Sequence, residues 1–150
     1  MSSRKNKSLA IKDLEKALSE KSEKKVEEYR LGPFSEFVIT AERGDIGEIV
    51  NYFYDTIKEE DFYGDEDMEN RVLTLYYGDR TATVLFEPMA SLLERIVSGI
   101  AKVLKPDYGI RMFAASAGSS AVDFLICPKE WWEKWDGRCP DFMKEIFLPV

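Results

Sequence analysis

Hydrophobic positions along this chain switch repeatedly between a spacing of three or four residues and strict alternation, which predicts helices and strands following one another. Ile11, Leu14, Leu18, Val26 and Tyr29 fall near helical spacing among Lys and Glu, ending at Leu31-Gly32-Pro33. They predict one long, thinly apolar helix over 9–31, peripheral to the rest, with residues 1–8 as a disordered leader. From Phe34 to Ala41, Phe37, Ile39 and Ala41 alternate with Glu36, Val38 and Thr40 as in a strand. Asp45, with Glu48 three residues on, reads as a helix start, and Ile46, Ile49, Val50, Phe53 and Ile57 then form the best amphipathic stripe in the chain.

Glu59 to Asn70 reads as an acid-rich connector. Arg71 to Glu87 predicts a hairpin turning at Gly78-Asp79, a two-residue turn that sets Thr74 against Thr83. Leu73 and Leu75 then share the core face with Ala82, Val84 and Phe86. Pro88 opens a helix whose stripe is Met89, Leu93, Ile96, Ile100, Val103 and Leu104, with Ser98-Gly99 marking a close approach. A second hairpin, Ile110–Ser116 with Ser120–Cys127, leads through Pro128 into a short helix carrying Trp131, Trp132 and Trp135. Spacing of four turns Trp131 and Trp135 inward and leaves Trp132 outside. The fold class expected is α+β: two layers, an antiparallel sheet of about five strands covered by helices, in a single domain over 9–150.

Composition narrows the chemistry. The chain has 150 residues, 45% of them apolar, enough to bury roughly 68–70% of its unfolded surface in one core. It contains no histidine, so histidine-dependent triads and zinc sites of the Cys/His type are excluded. Cys127 and Cys139 cannot close a four-coordinate zinc site, and neither a P-loop nor a G-x-G-x-x-G turn occurs. No cofactor, no metal and no catalytic residue are therefore expected. No apolar run approaches the ~18 residues of a membrane span, and the basic first residues lead into no apolar h-region. The expected location is the cytoplasm.

Charge is segregated. Formal net charge is −7, yet residues 1–30 hold nine basic and six acidic residues, while 42–69 hold eleven acids and two bases. On the helix starting near Asp45, helical spacing aligns Glu48, Tyr52, Asp55 and Glu59 opposite the apolar stripe. They run on into Glu60, Asp61, Phe62, Tyr63, Asp65, Glu66, Asp67 and Glu69, where acids alternate with aromatics. Such a surface attracts a basic protein, repels nucleic acid, and offers aromatic area for contact.

A second constellation is open beside it: Tyr76, Tyr77, Arg111, Asp123 and Trp132 as a ligand pocket for a small-molecule binder or enzyme. Asp123 interrupts the apolar Val122-Phe124-Leu125-Ile126 run, so it must be at the surface or paired, with Arg111 one candidate partner. A third alternative is a homo-oligomeric structural component paired through the first helix.

The stretch Leu92 to Gly109, an apolar helix running into Lys105-Pro106-Asp107-Tyr108-Gly109 and then a strand, resembles a passage in bacterial polymorphic-toxin immunity proteins. The likeness extends over about residues 92–126, where Ser120-Ala121-Val122-Asp123-Phe124 departs from their Gly-Trp step. It implies a cytoplasmic inhibitor that binds and blocks one toxin, with no catalytic residue to carry over.

Overall fold

The computed structural model describes residues 9–150; the leader expected over 1–8 lies outside them. Helices α1 (Ile11–Ser19) and α2 (Glu23–Arg30) lead to β1 (Val38–Glu42). A single 3-10 turn, Ile46–Glu48, opens into α3 (Ile49–Ile57), followed by β2 (Phe62–Asp67), β3 (Val72–Tyr77) and β4 (Arg80–Leu85). Then come α4 (Leu92–Leu104), β5 (Tyr108–Phe113), β6 (Ala121–Pro128), α5 (Lys129–Arg138), α6 (Pro140–Ile146) and β7 (Phe147–Pro149).

The fold is α+β, with two antiparallel sheets where one was expected. The first has the order β1-β6-β5-β7 and the second β2-β3-β4. The first sheet is buried on both faces, which is why all six residues from Val122 to Cys127 are buried. On one face Ile39, Ile110, Met112, Val122, Phe124 and Ile126 pack with α3, α4 and the inner face of the second sheet. On the other, Leu125, Cys127, Phe113 and Phe147 pack with α1, α2, α5 and α6. Helix α4 touches β3 and β4 on one side and β5 on the other, so it lies between the two sheets rather than covering one.

The long helix expected over 9–31 is two helices. Ser19 to Lys25 contains no apolar residue, Lys21 takes a left-handed φ of 51°, and the Ser22 hydroxyl accepts the Lys25 backbone N–H at 3.2 Å to cap α2. Both helices dock by one face: Leu14, Ala17, Leu18, Val26 and Tyr29 are all buried, against the group that holds Trp132, Trp135 and Phe142. The acid-rich connector is also corrected, because residues 62–67 form β2, an edge strand. An edge strand solvates one side, so a single inward apolar residue, Phe62, suffices to seat it. Strand β7 completes the first sheet at β5 and had no expectation attached to it.

The β3–β4 hairpin has the expected register, Thr74 opposite Thr83 and Leu75 opposite Ala82. Gly99 marks the close approach expected in α4: a Cβ there would lie 2.9 Å from Val84 Cγ2 and 3.0 Å from Leu75 Cδ1. Gly99→Ala is therefore expected to destabilise the protein by about 1–3 kcal/mol through overpacking of the α4–hairpin interface. Gly47→Ala, at a position with open space around it, is the control. Urea unfolding of the two variants measures the difference. Met89, expected in the α4 stripe, lies before the helix and is exposed.

Candidate functional site: an acidic cleft between α3 and β2

Helix α3 is set down by Ile49 and Phe53, both fully buried, and its neighbouring face looks along β2. Gly64 allows the approach, since a Cβ at that position would stand 3.3 Å from both Val50 Cγ1 and Leu73 Cδ1. The helix and strand diverge from this contact and leave a cleft of about 590 Å³. Gly47, Val50, Asn51 and Tyr54 line it from the helix side; Phe62, Gly64 and Glu66 line it from the strand, with Leu73, Glu60 and Tyr63 completing the wall. Val50, Phe62 and Leu73 give it an apolar part, while Tyr54 and Tyr63 stay 38% and 54% exposed beside the carboxylates. Tyr63 is braced from the neighbouring strand by stacking on Tyr76, with ring centroids 4.7 Å apart.

Of the acidic and aromatic residues read from the sequence, Glu60, Phe62, Tyr63 and Glu66 line this cleft. Phe62 does so from within the core, with no exposed surface, so it is a seat for β2 and not an exposed contact residue. The expected stripe of Glu48, Tyr52, Asp55 and Glu59 is not one helical face, because α3 begins after Glu48 and ends before Glu59. Glu48 accepts from the Asn51 side-chain amide at 3.2 Å. Tyr52 is half-buried and donates to the Asp45 carboxylate at 3.1 Å, a bond that holds its phenol above the ordinary tyrosine range. Glu59 accepts from the Tyr108 hydroxyl at 2.7 Å; burial and this carboxylate push the Tyr108 phenol up to about 12. Asp67 accepts from the Asn70 backbone N–H at 3.1 Å and side-chain amide at 2.7 Å, which lowers its carboxyl below the usual carboxylate range and closes the β2–β3 turn. Asp55, Asp61 and Asp65 are exposed and do not line the cleft.

None of the carboxylates from Asp45 to Glu69 forms an ion pair with a lysine or arginine among the described residues. The negative field of the cleft is therefore open to an outside cation. Asn51 and Tyr54 belong to the site and were missed by sequence reasoning. The signal for them was present in the alternation of Phe62, Gly64 and Glu66, which identifies a strand, and in the helical offset of Asn51 and Tyr54 from the buried positions.

The second constellation is dispersed. Tyr76 stacks on Tyr63 on the outer face of the second sheet, whereas Tyr77 donates to Asp107 at 2.6 Å. Arg111 and Trp132 do meet, the guanidinium lying 4.4 Å from the ring centroid. Arg111 pairs with Asp136 through two bonds of 2.8 and 2.6 Å, not with Asp123. Asp123 is buried and pairs at 2.5 Å with Arg30 of α2, while the Thr40 hydroxyl donates to its other oxygen at 2.5 Å. Trp132, expected outside, is 4% exposed and donates to the Gly109 carbonyl at 2.9 Å. Trp131 is the half-buried one, donating to Glu15 at 2.9 Å. The five residues thus fall into separate contacts, in which Arg111 meets Trp132 while Tyr76, Tyr77 and Asp123 each make their contacts elsewhere.

Among the described residues no helix is long and apolar enough to cross a membrane. Compared with protein-family models, with curated proteins and with solved structures, the chain matches none.

Proposed function

We propose that this chain is a protein-binding module of the inhibitor or immunity type, working in the cytoplasm, whose acidic cleft holds a basic surface of its partner, such as a toxin. The observation that carries this is a cleft that joins an exposed tyrosine, Tyr54, to carboxylates that no described lysine or arginine neutralises, with Tyr63 exposed on the outer face of the strand beside it. A lysine or arginine entering there meets Glu60 and Glu66 for charge and Tyr54 for cation–π contact, an attraction that strengthens as water leaves. Nucleic acid is disfavoured by the same field. A catalytic alternative is weakened by the dispersal of Tyr76, Tyr77 and Asp123 away from Arg111 and Trp132. A homodimer through the first helix is weakened too, because the apolar residues of α1 and α2 are buried inside the chain.

The test is capture from the native host with the wild-type protein and with Glu60→Lys/Glu66→Lys, read by quantitative mass spectrometry at low and high salt. A basic protein retained by the wild type is expected to be lost from the variant and from the high-salt wild-type sample. Its on-rate should fall by about ten- to a thousandfold on charge reversal. The melting temperature should hold, since both positions are exposed. Identical capture by the two proteins would remove the cleft from the interface.

A further inference from the structure

Beyond its charge, the cleft has an open backbone edge. Strand β2 ends the second sheet, with β3 on one side and no strand on the other. Antiparallel pairing alternates, so only every second residue of β2 bonds to β3. The Gly78 backbone N–H donates to the Asp61 carbonyl at 3.3 Å, which fixes the phase: Asp61, Tyr63, Asp65 and Asp67 turn their backbone groups to β3. Phe62, Gly64 and Glu66 turn theirs the other way. The Phe62 N–H is used by the Glu59 carbonyl at 3.1 Å. Gly64 and Glu66, both exposed, each leave an N–H and a C=O directed outward from the sheet edge.

These same residues line the cleft beneath α3. A strand added at this edge would alternate its side chains between two surroundings. One set would enter the cleft between Val50 and Leu73, ending at Glu60, Glu66 and Tyr54. The other would lie over Tyr63, Asp65 and Asp67 on the outer face. Both surroundings are acidic and partly aromatic, and the segment from 42 to 69 holds eleven acids against two bases, so an acidic or neutral strand is disfavoured at either set of positions.

Resting on the proposed protein-binding role, we infer that the partner is engaged by strand addition: an extended segment rich in lysine and arginine pairs antiparallel with β2 at Gly64 and Glu66. The sheet edge supplies affinity through main-chain bonds and the carboxylates and tyrosines select the side chains. Charge keeps other copies of this chain away from the edge, because β2 repels β2.

The test uses the full chain and a synthetic peptide, Arg-Thr-Arg-Val-Arg-Thr-Arg, with two N-methylated versions of it. One is methylated at the two central positions whose N–H groups face β2 in the paired register, and the other at the alternate positions. Titration followed by anisotropy, with amide hydrogen exchange of Gly64 and Glu66, reads the outcome. Because the register is one of two, the expected result is that one methylated peptide binds about tenfold or more weaker than the parent and the other within about threefold. The parent should also slow exchange at Gly64 and Glu66. Equal binding of all three peptides, combined with loss of binding in Glu60→Lys/Glu66→Lys, would overturn strand addition and leave the acidic cleft standing. Methylation-sensitive binding that charge reversal does not weaken would do the opposite, keeping the edge and removing the carboxylates. Absence of binding by the parent peptide at low salt would overturn the inference outright.

Discussion

Replacing Arg30 by Leu is expected to destabilise the protein by about 3–5 kcal/mol, a fall in Tm on the order of 10 °C for a chain of this size. Asp123 sits on β6, in the middle of the first sheet, with its side chain 9% exposed. Arg30 reaches it from α2 and is itself 13% exposed, held in place by Glu27 through bonds of 2.6 to 3.2 Å. The Thr40 hydroxyl and the guanidinium satisfy one oxygen each. Without Arg30 the carboxylate stays buried and uncompensated, and that desolvation is the greater part of the loss. Arg30→Leu combined with Asp123→Asn is accordingly expected to recover about half or more of the stability, because the stranded charge is gone. Urea unfolding of the single and double variants checks this; a double variant no better than Arg30→Leu would show that the loss lies in α2 packing instead.

Trp132→Ala is expected to have a comparable effect, about 3–5 kcal/mol. The ring lies beneath the Arg111 guanidinium, meets Trp131 and Phe147 edge-on at centroid distances of 5.0 and 5.1 Å, and donates to Gly109. Gly109 is required by this contact, since a Cβ there would stand 2.6 Å from Trp132 Cδ1. Trp132→Phe keeps most of the ring and loses the hydrogen bond, so a cost of only about 1–2 kcal/mol is expected. A Trp132→Ala variant with wild-type stability would contradict the structural role and return this residue to the ligand-binding alternative. Denaturant midpoints for both variants decide it.

The elements legible in the sequence are those with a local cause. The β3–β4 register follows from the two-residue turn at Gly78-Asp79, and the α4 stripe from the regular recurrence of Leu93, Ile96, Ile100 and Val103. The error at α1–α2 came from treating Leu18 and Val26 as one periodic series across a polar gap, where the capping hydroxyl of Ser22 was the better guide. The error at β2 came from composition, because a run of acids hides the alternation of an edge strand whose outward face water already solvates. For the tryptophans, spacings of three and four both place residues on one side of a helix, so α5 could present either pair inward. Phe147 of β7 and Glu15 of α1, distant in the chain, made the choice.

From the residues alone came the absence of histidine chemistry, the segregation of charge, the α+β class and the identity of most buried apolar positions. Each depends on composition or on neighbours a few residues apart. Only the tertiary structure decided that there are two sheets, that Asp123 belongs to Arg30, and that α3 and β2 part to form a cleft. Those outcomes depend on which distant side chains meet, as with Arg30 and Asp123, 93 positions apart, and short-range periodicity carries no information about such pairings.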